Sequence, residues 1–81
     1  MTQQPPPDFD TERQKTEEWV AAFAPVGRSE DEFTRAAEAA GFEVHVVARD
    51  GQVFGLRTKM SPQRIHVRVA NGQITSTHGV F

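Results

Sequence analysis

Residues 43–70 read EVHVVARDGQVFGLRTKMSPQRIHVRVA, and the fold depends on how this stretch divides. Its two ends alternate. Val44, Val46 and Ala48 interleave with His45, Val47 and Arg49, and Ile65, Val67 and Val69 interleave with Arg64, His66 and Arg68. A period of two puts successive side chains on opposite faces, so 43–49 and 64–70 read as strands. The middle supports two divisions. Asp50-Gly51 is a hairpin signal, and a second strand over 52–58 would make an antiparallel meander. Gly55 interrupts that strand, and Ser61-Pro62 punctuates the residues beyond it. A dozen residues without an element of their own are uncommon in compact domains and tend to be functional or disordered. In that second division, 52–63 is an exposed loop crossing between two strands. Local propensity slightly favours the hairpin.

Downstream, Asn71-Gly72 is the strongest hairpin signal in the chain, and Gln73–Thr77 returns as the last strand. Upstream, Gly41 suits a left-handed helix cap. It closes a helix expected over 30–40, which opens on the capping box Ser29-Glu30-Asp31-Glu32. Phe33, Ala36, Ala37 and Ala40 form its apolar stripe. A second box, Thr11-Glu12-Arg13-Gln14, opens a helix expected over 12–24, with Trp19 and Phe23 one turn apart as a core pair. Pro25 ends it, because the residue before proline is driven out of the helical region. Residues 1–10, with Pro5-Pro6-Pro7 and few apolar side chains, read as a disordered arm. Residues 11–81 then form one α+β domain, with one or two helices packed on a small mixed sheet.

The chain has 81 residues and no cysteine, which allows one thin core and excludes disulfide and thiolate-metal chemistry. No apolar run approaches a membrane span, and no apolar signal segment opens the chain, so a cytoplasmic protein is expected, or a secreted one if a signal was removed. The net charge of −2 is uneven. Residues 1–43 hold four Lys/Arg against ten Asp/Glu, and residues 44–81 hold five, Arg49, Arg57, Lys59, Arg64 and Arg68, against Asp50 alone. Five scattered cations are a weak nucleic-acid footprint, and a solvated strand face is the plainer reading. His45, His66 and His78 lie on different expected strands with no acidic neighbour after Glu43. They read as surface histidines, not as a metal site. No nucleophile elbow, phosphate loop or carboxylate pair is present, and Thr77 and His78 point to opposite faces. No catalytic residue, cofactor or enzymatic activity is therefore expected.

Several short segments carry a resemblance in order and spacing. They are Lys15-Thr16-Glu17-Glu18-Trp19, Val26-Gly27-Arg28-Ser29, Gly51, Pro62-Gln63-Arg64-Ile65-His66-Val67, Asn71-Gly72-Gln73-Ile74 and His78-Gly79. Together they resemble the potato inhibitor I group of serine-protease inhibitors, including its eglin-like and small bacterial members. The resemblance implies a helix on a small sheet and a loop that joins two parallel strands and enters a protease as a pseudo-substrate. It thereby selects the parallel division of 43–70, with 52–63 as the crossing loop. It implies an inhibitory loop at Leu56, Arg57, Thr58, Lys59 and Met60, supported by Arg64, His66 and Arg68. The primary specificity residue falls at Leu56 counting from Gly51 and at Thr58 counting back from Arg64, which stands thirteen positions after Gly51. The family's threonine before the scissile residue and acid after it are both absent, as is the cysteine pair of bacterial members. With no acid between Gly51 and Arg64 to pair with Arg64 or Arg68, weak inhibition is expected. A non-inhibitory protein-interaction module of the same fold is the alternative. The partner expected in either case is a protein.

Overall fold

The computed structural model describes residues 8–55 and 59–81. Two helices are followed by four strands: α1 (Asp8–Phe23), α2 (Glu30–Ala39), β1 (Glu43–Arg49), β2 (Gln52–Val53), β3 (Arg64–Ala70) and β4 (Gln73–Val80). The strands form one mixed sheet in the order β2-β1-β3-β4. This is the α+β class expected, two helices packed on a small mixed sheet.

The helices follow their local signals. α2 is capped by Ser29, whose hydroxyl accepts the Glu32 N–H at 3.3 Å, and acids fill its first turn. Phe33 and Ala37 from the apolar stripe are fully buried, whereas Ala40 is the exposed C-cap. α1 starts at Asp8, ahead of the box at Thr11. Residues 8–10 therefore belong to the helix and not to a disordered arm. Asp10 and Glu12 near the start suit the positive end of the helix dipole, and Phe9 is half-buried. Residues 1–7 of the expected arm lie outside the described residues. α1 stops where Ala24 takes a positive φ of 55° ahead of the buried Pro25.

The two inner strands run parallel. Glu43 lies beside Arg64, Val44 beside Ile65, His45 beside His66 and Val46 beside Val67, with a bulge between Val46 and Ala48. The Asp50-Gly51 signal is also obeyed, though only for two residue pairs. Both turn residues have positive φ, 51° and 84°, and β2 pairs antiparallel with the end of β1 at Ala48–Val53 and Arg49–Gln52. Gln52 and Val53 are thus a short edge strand and not part of a loop. Asn71 and Gly72, at φ 54° and 74°, make the hairpin that pairs β3 with β4.

α2 lies against β1 and α1 against β4. Between helices and sheet, Phe33 and Ala37 meet Ile65, Val67, Val69, Ile74 and Val80, with Trp19, Val20, Phe23, Phe42, Val44 and Val46 around them. Trp19 and Phe23 stack with ring centres 5.3 Å apart, and both rings contact Phe33. No helix among the described residues is long and apolar enough to cross a membrane.

Candidate functional site

The sheet face away from the helices carries the alternate residues of the inner strands: His45 and Val47 on β1, and Arg64, His66 and Arg68 on β3. Alternation assigns these residues to solvent. The structure buries Arg64 and leaves His66 with no exposed surface. The reason is a set of contacts that strand periodicity cannot reveal: Phe81 stacks on His66, and Arg64 reaches the Lys59 and Phe81 carbonyls.

The segment between β2 and β3 is tied down from both sides. On the β2 side, the Phe54 N–H donates to the Val47 carbonyl at 2.8 Å, and His45 Nε2 donates to the Gly55 carbonyl at 2.9 Å. Gly55 has a φ of 80°, a left-handed conformation that glycine adopts without strain. On the β3 side, Arg64 Nη1 donates to the Lys59 carbonyl and lies 3.5 Å from the Phe81 carbonyl. The Phe81 carbonyl also accepts the Ser61 N–H at 2.8 Å, and the Phe81 N–H donates to the Arg64 carbonyl at 3.2 Å. The Pro62 carbonyl lies 2.8 Å from the buried Thr16 hydroxyl of α1, whose single proton it shares with the Glu12 carbonyl.

Arg64 is thus a brace, as expected, with partners the sequence did not advertise. Its Nε donates to Glu43 at 3.2 Å, so the acid absent from the loop comes from the facing start of β1. Its other donor holds main chain. His66 makes no hydrogen bond to the described residues of the segment. Its ring stacks on Phe81 at 4.1 Å and meets the His45 ring edge-on at 5.4 Å. Neither ring nitrogen has a hydrogen-bond partner among the described residues. Burial and the neighbouring His45 hold this imidazole below its ordinary value; Arg64 and His78 act in the same direction, and only the Gly79 backbone opposes them, without reaching hydrogen-bond geometry. Arg68 does not support the loop in this structure. Exposed on β3, it donates from Nε to His78 Nε2 at 2.7 Å, because the two strands place these side chains on the same face. The surface reading of the three histidines therefore holds for His78, fails in part for the half-buried His45 and fails for His66.

Of the five expected loop residues, Leu56, Arg57 and Thr58 lie outside the described residues. Lys59 and Met60 are exposed. Large apolar side chains reach solvent in β2 and in the described residues beyond it: Val53 is 70% exposed, Phe54 48% and Met60 64%. A hollow of about 210 Å³ is lined by Val47, Val53, Gly55, Arg68 and His78. A larger hollow of about 310 Å³ lies between α1 and β4, away from these residues and lined mainly by apolar groups. The basic half of the chain is not a free stripe, since Arg49 pairs with Glu30, Arg64 with Glu43 and Arg68 with His78. No group of three His, Asp or Glu among the described residues could hold a metal ion.

The residues the sequence reading missed are His45, Glu43 and Phe81. His45 pairs with His66 in the parallel register, which could have marked it as facing the same loop once that register was known. Phe81 left no signal beyond being apolar. No protein-family model, no curated protein and no solved structure matches this chain.

Proposed function

We propose that this protein binds a serine protease as a pseudo-substrate, through the segment between β2 and β3 centred on residues 56–60. One observation carries the reading. The two residues that flank 56–58 are held by side chains that grip their main chain, His45 on the Gly55 carbonyl and Arg64 on the Lys59 carbonyl. A segment held in place before binding loses little conformational freedom on docking, and that saving is what separates a slow substrate from an inhibitor. Among the described residues, Lys59 and Met60 are exposed. Leu56 suits an apolar specificity pocket, Arg57 or Lys59 an acidic one, and the exposed Phe54 and Met60 extend the contact. The resemblance to the potato inhibitor I group supports the same assignment.

The second reading is a module of this fold that binds another protein and inhibits nothing. The absence of an acid within the loop favours it, because such an acid would add a side-chain brace to the main-chain ones. Nucleic acid is the weakest partner class, since three of the five cations of the basic half are engaged within the fold.

Incubation with subtilisin, chymotrypsin and trypsin separates the first two readings. The expected result is inhibition of at least one enzyme, with slow cleavage confined to residues 55–60 by mass spectrometry. Rapid cleavage there without inhibition would move the protein to the second reading.

A further inference from the structure

His66 stands apart among the buried polar residues. Arg64 and Thr16 both have hydrogen-bond partners, whereas His66, fully buried on an inner strand, has none among the described residues. Its surroundings suit only a neutral ring. One face is covered by Phe81 and an edge by His45. The titratable and charged groups around it are basic almost throughout: His45 from β1, Arg64 and Arg68 from β3, and His78 from β4. Lys59 belongs to the crossing segment. Glu43, the nearest acid by register, is bound to Arg64. The helices pack on the other face of the sheet. A proton added to His66 would meet burial, no acceptor and a set of positive neighbours.

We propose that His66 is an acid-sensitive latch on the crossing segment: proton uptake drives its ring off Phe81 and frees the β3-side end of the segment. The geometry supplies the coupling. Phe81 is held by its ring stack, and its main chain in turn holds Ser61 and Arg64 through three hydrogen bonds. When the ring contact is lost, those bonds are exposed to water together. The β2-side end responds differently. The Gly55 carbonyl is held by His45 Nε2 and the Phe54 N–H by the Val47 carbonyl, and neither bond involves His66 or Phe81. Acid therefore opens one end of the segment and leaves the other fastened. This latch is independent of what the segment binds.

The sign comes from linkage. The folded state holds the His66 pKa below the unfolded value of about 6.5, so its contribution is fully present above that pH and fades as pH falls toward the folded value.

Nuclear magnetic resonance on the intact chain tests the proposal. The His66 ring signals and the amide protection factors of Ser61 and Phe54 are followed from about pH 7.5 to about pH 5, the range in which histidines titrate. Protection at Ser61 is expected to fall about tenfold or more as His66 takes up its proton, while Phe54, on the other end, holds. His66→Phe keeps an aromatic ring on Phe81 and cannot titrate, so its Ser61 protection should stay flat across the range. His45→Gln keeps a donor for Gly55 and should retain the loss at Ser61. Ser61 protection that is unchanged after His66 has titrated would overturn the latch. So would a His66→Phe variant that loses protection as the wild type does. If that variant does not fold, the wild-type titration decides alone, because the Ser61 change must share the midpoint of the His66 ring.

Discussion

Arg64 links three parts of the chain, and the chemistry of its side chain explains why. A guanidinium presents several donors in a fixed plane, so it can pair with Glu43 while donating to the Lys59 and Phe81 carbonyls. A lysine has the charge without the fork. Arg64→Lys should therefore cost roughly 1–3 kcal/mol, the range for stranding buried acceptors, and should raise the rate of subtilisin cleavage near Lys59. Urea unfolding measures the first and mass spectrometry the second; unchanged values of both would show that the brace is idle. The same residue shows where sequence reading stopped. Arg64, His66 and Arg68 share one strand face and looked equivalent, yet one grips the loop, one is sealed beneath Phe81 and one stays exposed with His78. Alternation separates the two faces of a strand. It cannot say that Phe81, far along the chain, stacks on one of them.

Among the elements, those built from local rules were the legible ones. Ser29 caps α2 as the box predicts, and Phe33 is buried where the apolar stripe puts it. Phe33→Ala should destabilise by about 3–5 kcal/mol, because it removes a ring from between Trp19, Phe23 and the sheet. A midpoint in urea equal to the wild type would contradict that packing. The β3–β4 turn was equally plain in Asn71-Gly72. A side chain on Gly72 would meet nothing within 4 Å, yet its φ is 74°. Gly72→Ala should therefore cost about 1–2 kcal/mol from backbone strain alone, measurable as a lower unfolding midpoint. β2 was harder to see, because two competing instructions were both partly obeyed. Asp50-Gly51 turned the chain back, and the paired residues end at Val53, with one further bond from the Phe54 N–H to the Val47 carbonyl. The start of α1 lies ahead of its capping box for a related reason: the box at Thr11 marks a helix opening, but the acidic residues before it can open a helix as well.

At the scale of the molecule, the parallel register of β1 and β3 organises everything else. It sets His45 beside His66 and Glu43 beside Arg64, and it forces the intervening chain to cross over the sheet. Local signals did not dictate this arrangement, since they slightly favoured a meander; the parallel expectation came with the family resemblance. The register also divides the chain into two parts joined covalently at one place. Everything before the crossing segment supplies α1, α2, β1 and β2, and everything after it supplies β3, β4 and Phe81. Neither part has a core of its own, because Phe33 and Ala37 come from the first and Ile65, Val67, Val69 and Ile74 from the second. A single cut between residues 55 and 59 should therefore yield a two-chain complex that co-elutes on native size exclusion and separates in urea. Two separate peaks under native conditions would refute this. A single chain that folds alone melts at a temperature independent of its concentration. The cut one should obey mass action, with a melting temperature that climbs as the sample is concentrated.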